Sequence, residues 1–408
     1  MAGIVDDKSE HCLPFLLEQL KLHGQRHAHD SNPPPFFVGL NGVQGAGKTV
    51  LVAILRSTLS SPPYNLPTIA FSLDDIYLNH TDQLRLAASH PSNPLLQHRG
   101  QPSTHDIPLG KRIFSSLRQG LPTKIPAYDK SAFNGQGDRI PESRWEVVND
   151  VSAGQRPVKV VIFEGWCVGF RARPEEEIRK VWEHAVQQCK QDLVGYRGRL
   201  GYVRFEDVKV INDALRGYDA FTDQLDAFIH IDAEDTHFVY DWRQEQEQNL
   251  IAAKGSGMTV EQVNKFVDGY YPSYELFTKT LRKGVFAPRQ KPGQLESSDD
   301  SWRDRQLRLI DIGARGEARC QRETGSTFVI NVLIEADRVI NLRDEPEVIN
   351  TLSESGSVPW LTLPGNDPVK EEYYAIEQEW PEESLMRRKA YMPLVEERKQ
   401  EGRLGKAF

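Results

Sequence analysis

Residues 36 to 55 read Phe36-Phe37-Val38-Gly39-Leu40-Asn41-Gly42-Val43-Gln44-Gly45-Ala46-Gly47-Lys48-Thr49-Val50-Leu51-Val52-Ala53-Ile54-Leu55. The opening apolar run suits a strand covered on both faces. Gly42 to Thr49 then matches G-x-x-x-x-G-K-[ST], and Val50 to Leu55 continues as a helix. Average residue usage gives that pattern by chance in about 1 to 2% of chains this long, so strand, loop and helix in this order are a specific signal. Glycines let the backbone curl until successive N–H groups and the helix N-terminus face an anion. The expected ligand is the triphosphate of ATP, cradled by Gly42, Val43, Gln44, Gly45, Ala46, Gly47, Lys48, Thr49 and Val50. Lys48 is expected to reach the β- and γ-phosphates, and the Thr49 hydroxyl to ligate Mg2+.

Upstream, Ser31-Asn32-Pro33-Pro34-Pro35 breaks the chain, and residues 9 to 23 place Leu13, Leu16, Leu17 and Leu20 at helical spacing. A short docking helix is expected there, with Pro14 limiting its first turn. Downstream, Val158 to Phe163 and Phe228 to Ile231 are further buried-strand runs, ending at Glu164-Gly165 and at Asp232. Helical stretches at 48–59, 106–119, 207–216, 235–253 and 259–269 separate the strands. That alternation predicts an α/β fold, a doubly wound parallel sheet of the phosphate-loop NTPase type with helical insertions and a polar C-terminal extension. The expected organisation is an N-terminal helix and linker at 1–35, a kinase-like domain at 36–342 and a polar tail at 343–408. Insertions are expected near 171–205 and 287–327. Strands are expected at Gln306–Ile310 and within Phe328–Leu342, and the tail is too polar to bury much.

Composition narrows the partners. A net charge of -8 offers no broad basic face, so nucleic acid is not expected. No stretch approaches the roughly 18 apolar residues of a membrane span. Asp6, Asp7 and Glu10 do not make a basic leader, and Cys12, Cys167, Cys189 and Cys320 lack metal or CxxC spacing. Reduced thiols in the cytoplasm, no membrane and a monomer are the expectations.

Ser72-Leu73-Asp74-Asp75-Ile76-Tyr77 follows the strand-like run Thr68 to Phe71 and delivers two carboxylates to the sheet edge where ligands collect. A hydroxyl attacks a phosphoryl group poorly until a carboxylate takes or aligns its proton. Asp74 is therefore assigned as base and Asp75 as a metal or water ligand. The alternative for either residue is a solvated acidic turn capping the helix near Thr81. Glu164, ending its own strand, is the second carboxylate expected on the metal side.

Beyond the phosphate loop, four blocks are more particular: Ser72–Leu84, Asn93–Asp106 (NPLLQHRGQPSTHD), Pro126–Arg139 (PAYDKSAFNGQGDR) and Val161–Phe170 (VIFEGWCVGF). Together with Gly42–Thr49 they resemble the D-glycerate 3-kinases of plants and fungi, enzymes similar to uridine kinase and phosphoribulokinase. The likeness spans roughly residues 36 to 285. It implies ATP, Mg2+ and transfer to the 3-hydroxyl of D-glycerate. A small carboxylate acceptor needs a cation and polar groups, which Arg99, His105, Lys130 and Arg139 would supply, with Tyr128 and Asp129 shaping the pocket. Each of these also reads as an ordinary surface or loop residue. Related kinases carry an arginine in a lid over the transferring phosphate, and Arg243, on a helix with Phe238, Val239 and Trp242, fits that place. A uridine or other small-alcohol kinase and a catalytically silent ATP-binding regulator are the alternatives; uridine would need an aromatic-lined pocket, which the sequence does not reveal.

Overall fold

The computed structural model describes residues 8–191, 196–255, 257–287, 303–311, 318–323, 327–333 and 339–342. By its contacts the chain divides into two units, Met1–Gly316 and Glu317–Phe408. In chain order the first unit holds α1 (Ser9–Arg26), β1 (Phe36–Gly42), α2 (Lys48–Ser60), β2 (Thr68–Ser72), α3 (His80–Ser89), α4 (Ile107–Arg118), β3 (Thr123–Ile125), β4 (Tyr128–Asp129), β5 (Asp138–Arg139), β6 (Glu146–Val148) and β7 (Val160–Gly165). It continues with α5 (Glu175–Lys190), α6 (Phe205–Ala214), α7 (Asp219–Thr222), β8 (Ala227–Ala233), α8 (Phe238–Lys254), α9 (Val260–Asp268), α10 (Tyr271–Lys283) and β9 (Gln306–Asp311).

Five of these strands form a parallel sheet in the order β9-β8-β1-β7-β2. The chain leaves β1 for β2 on one side and reaches β8 on the other, so strand order reverses at β1. In such sheets the crevice beyond the strand's carboxyl end is where ligands sit. Every residue of β1 and of β8 is buried, which is why both read as continuous apolar runs rather than alternating ones. Phe37, Phe71, Phe114, Phe163 and Phe221 pack ring to ring, with centroids 5.0 to 5.8 Å apart. Each buried ring contributes about 2 kcal/mol of transfer free energy. This aromatic layer anchors α4 and α7 against the sheet and so fixes the loops that carry the site.

Helix α1 differs from its expected form. It runs on to Arg26 with Pro14 inside it, and its buried face is Cys12, Phe15, Leu16, Gln19 and His23. Leu13, Leu17 and Leu20 lie half-buried beside that face. Polar anchors settle the rotation: Gln19 Nε2 donates to the Asp304 carbonyl at 2.9 Å, and the His23 ring bonds the Pro34 carbonyl at 2.9 Å.

In the second unit β10 (Ala318–Glu323), β11 (Thr327–Leu333) and β12 (Val339–Leu342) pair antiparallel. The division at residue 316 therefore falls inside the range 36–342 expected for one domain. Most of the insertion expected near 287–327 and the whole tail 343–408 lie outside the described residues.

Candidate active site

The phosphate loop is shaped by its glycines. Gly45 and Gly47 adopt φ of +86° and +79°, which side chains disfavour. Gly45 is also under a roof: a Cβ there would stand 2.4 Å from Trp242 Cβ, so α8 rests directly on the loop. Lys48 Nζ donates to the carbonyls of Gly42 at 2.8 Å and Val43 at 3.0 Å. Burial lowers its pKa, while Glu164 and then Asp74 pull it back up. A buried ammonium facing two carboxylates at a helix N-terminus is a charge arrangement suited to an anion with its counter-cation.

After β2 the chain enters a short 3-10 turn, Leu73–Ile76, capped by a reciprocal pair of bonds. Asp74 N–H donates to Ser72 Oγ at 3.1 Å, and Ser72 N–H donates to Asp75 Oδ2 at 2.8 Å. The cap points the Asp74 carboxylate into the crevice, where Lys130 Nζ meets Oδ2 at 2.6 Å and the Tyr77 hydroxyl also bonds it. Burial alone would raise the Asp74 carboxyl. The Lys130 ammonium, by charge and hydrogen bond, together with His105 and Tyr77, outweighs that and holds it below the usual carboxylate range. Its neighbours behave oppositely. Burial pushes Asp75 up to about 6, opposed by its Ser72 bond and helped by the Asp74 and Glu164 charges. Burial likewise raises Glu164 against the pull of Lys48.

One prediction follows from the Asp74–Lys130 pair. Replacing Lys130 by Met removes the largest of the contributions that oppose burial, so the Asp74 carboxyl titrates higher. The acid limb of the kcat/KM profile is expected to move to higher pH, and the acceptor KM to rise about tenfold for one lost charge-assisted bond. A pH–rate series on both proteins checks this; an acid limb that stays in place would separate Lys130 from the base.

The structure brings Lys48, Asp74, Asp75, Glu164, Lys130, His105 and Tyr128 into one electrostatic neighbourhood. Arg99 and Arg139 reach Tyr128 by their charge, and both are engaged in bonds within the protein. Arg99 Nη1 donates to the Gly135 carbonyl at 2.6 Å and to that of Gln136, and Nη2 to the Lys130 carbonyl at 3.4 Å. Its guanidinium also lies 5.6 Å over the Tyr128 ring. It clamps the loop that carries Lys130. That loop needs a clamp because Phe133, Asn134, Gly135 and Gly137 all take positive φ. Arg139 is spent on Asp106, the N-cap of α4, at 2.9 Å. Arg243 pairs with Glu247 at 2.8 Å and lies 5.4 Å over Phe266, joining α8 to α9, although its neighbour Trp242 covers the phosphate loop. Thr49 is exposed at the loop's end and Val50 is half-buried.

Sequence reasoning missed an aromatic wall. His105 stacks on Tyr77 with centroids 4.4 Å apart, Tyr128 meets Tyr77 edge-on at 5.4 Å, and Trp166 meets Tyr270 edge-on at 4.9 Å. Tyr77 and Trp166 stood in plain view in the Ser72–Leu84 and Val161–Phe170 blocks, whereas Tyr270 had no signal to mark it. Among the described residues, Gln44 Oε1, His105 Nε2 and Tyr128 Oη are buried here without a hydrogen-bond partner. Buried polar atoms are rarely left so, and their gathering at one crevice points to a polar ligand.

Known proteins agree. No family model matches the chain. An uncharacterized kinase of Schizosaccharomyces pombe, mug58, is 34% identical over 279 residues, covering 67% of this chain and 88% of that one. The chloroplastic D-glycerate 3-kinase of Arabidopsis thaliana is 32% identical over 268 residues, 65% of this chain but 52% of the longer plant protein. Among solved structures, the D-glycerate 3-kinase of Cryptococcus neoformans superposes with a TM-score of 0.64 at 34% identity, over 76% of this chain and 96% of that one. The chain shares its fold with the Cryptococcus enzyme and belongs to the D-glycerate 3-kinase family of ATP-dependent small-molecule kinases.

Proposed function

We propose that this kinase transfers the γ-phosphoryl group of ATP to the 3-hydroxyl of D-glycerate, giving 3-phosphoglycerate and ADP. The observation that carries the reading is the pair of Asp74 and Lys130, 2.6 Å apart at the sheet edge beside the phosphate loop. A hydroxy acid offers a hydroxyl proton and a carboxylate within one small molecule. A base and an ammonium side by side answer both. The name of the Cryptococcus relative supports the same acceptor.

In this reading the acceptor carboxylate draws on Lys130, whose side chain is 60% exposed and free to swing. Asp74, relieved of part of its partner, takes the hydroxyl proton as the acceptor oxygen bonds to the γ-phosphorus. The bond from that phosphorus to the β–γ bridging oxygen breaks, its electrons stay on ADP, and Asp74 returns the proton to solvent. Lys48 turns from the Gly42 and Val43 carbonyls to the phosphates. Thr49, Glu164 and the Asp75 oxygen not held by the cap would hold Mg2+. Two acids raised by burial are what carboxylates awaiting a cation look like, so the donor set fits the ion. When bound, Mg2+ neutralises charge on the phosphate oxygens. Helix α8 rests on Gly45 through Trp242, and in this reading a movement of that helix brings Arg243 from Glu247 towards the phosphates. A cytoplasmic location belongs to the same reading; among the described residues no helix is long and apolar enough to cross a membrane.

The aromatic wall favours a second reading, a nucleoside acceptor. Tyr77 and Tyr270 are, however, only 2% and 7% exposed, and His105 already covers the Tyr77 face, so they leave no ring-wide slot for a base. A coupled ADP-release assay with D-glycerate, L-glycerate, uridine and pantothenate tests the choice. D-Glycerate is expected to give the highest kcat/KM, and preferential turnover of uridine would overturn the reading.

A further inference from the structure

His105 entered the argument as a polar group for the acceptor, but a neutral imidazole can either donate or accept, and these roles recognise different partners. Its surroundings decide which. Nδ1 lies 2.6 Å from the Tyr218 hydroxyl oxygen, and the same oxygen accepts the Ser103 N–H at 3.3 Å. Ser103 reaches it from a φ of +98°, a backbone conformation rarely held by a residue with a side chain and characteristic of functional sites. The Ser103 N–H can only donate. The Tyr218 hydroxyl still has its own proton to donate, and among the described residues His105 Nδ1 is the hydrogen-bond partner placed to accept it.

If Nδ1–H instead donated to Tyr218, the phenol proton would lack an acceptor and Nε2 would be a second buried orphan. With Tyr218 donating, one group remains over, the Nε2–H. Burial supports the assignment. It pushes the imidazole down to about 3, keeping it neutral, and pushes the Tyr218 phenol far up, keeping its proton. His105 is 4% exposed, and Nε2 is sealed from solvent without a protein partner. Stacking on Tyr77, whose hydroxyl bonds Asp74, and the field of the Asp74 carboxylate on the ring put His105 in the neighbourhood of that carboxylate.

We infer that Tyr218, held by the Ser103 N–H, is a positioning residue that locks His105 in the Nε2–H tautomer, so that His105 donates a hydrogen bond to an oxygen of the hydroxy-acid acceptor beside Asp74. This rests on the acceptor reading above, and it assigns specificity as well. A buried donor fixed in place rejects an acceptor lacking an oxygen at that point, because the N–H would then stay unpaired. Tyr218 touches no reacting atom and acts through His105.

The test combines spectroscopy and kinetics on the full chain. The 15N shifts of the imidazole, assigned by their loss in His105→Gln, are expected to show Nδ1 as the bare nitrogen and Nε2 as the protonated one. Tyr218→Phe is expected to shift that signal towards the other tautomer and to raise the acceptor KM about tenfold, leaving the ATP KM unchanged. Gln presents its amide N–H2 near the Nε2 position without needing Tyr218. Adding Tyr218→Phe to His105→Gln is therefore expected to have no further effect on the acceptor KM, and melting curves on each protein report its fold. An Nδ1–H tautomer in the wild type, or a Tyr218→Phe effect of equal size in both backgrounds, would overturn the inference. Absence of turnover with D-glycerate would defeat the acceptor reading instead, while the tautomer measurement keeps its meaning.

Discussion

Asp74→Asn is expected to lower kcat at least about a hundredfold, the lower end of what a positioned base contributes, with the ATP KM close to wild type. The substitution keeps the volume and an oxygen that can accept from Lys130 and Tyr77, so the crevice keeps its shape. What is lost is the capacity to take a proton. The cap that aims residue 74 uses its backbone N–H and the Asp75 carboxylate, neither of which changes. Asp75→Asn makes the contrast. Its amide oxygen still accepts the Ser72 N–H, so the loss should appear as a higher Mg2+ requirement. Turnover measured against Mg2+ concentration for both variants separates the roles. Should Asp74→Asn keep its turnover while Asp75→Asn loses it at saturating Mg2+, the two carboxylates have been assigned the wrong way round.

Lys48→Ala is expected to cost about a hundredfold to a thousandfold in kcat/KM, the range for removing one preorganised donor from a developing charge. The fold should survive. The Gly42 and Val43 carbonyls lose a charged donor but sit in a loop that water can reach once the side chain is gone, and removal of a buried ammonium relieves its own desolvation. A melting temperature within a few degrees of wild type, with kcat/KM lowered by that factor, is the expected pair of results. Wild-type-like turnover would dismiss the loop as the phosphate site.

How much of this was legible in the sequence depended on distance along the chain. The β1–loop–α2 unit could be read because strand, glycines, lysine and helix are contiguous, and α2 ends at Ser60 against an expected 59. Helices α4, α6 and α8 were found within about three residues, since each carries its own apolar period. The rotation of α1 was not legible, because leucines on adjacent stripes offer two faces and the choice fell to Gln19 and His23 bonding distant carbonyls. Charge was the hardest to place. Nothing in HRGQPST distinguishes an arginine that binds a ligand from one that clamps backbone, and only the fold shows Arg99 bonded to the loop of Lys130. Tyr218 lies 113 residues from His105, and only the fold joins them.

The central claim is that phosphate passes from ATP to the 3-oxygen of D-glycerate under Asp74, and the product itself tests it most directly. Proton and phosphorus NMR of the reaction mixture distinguishes phosphate on the terminal carbon from phosphate on the central one. The account predicts 3-phosphoglycerate, formed one for one with ADP and reduced at least about a hundredfold in rate by Asp74→Asn. Phosphate on the 2-oxygen, or ADP release without any phosphorylated glycerate, would contradict it.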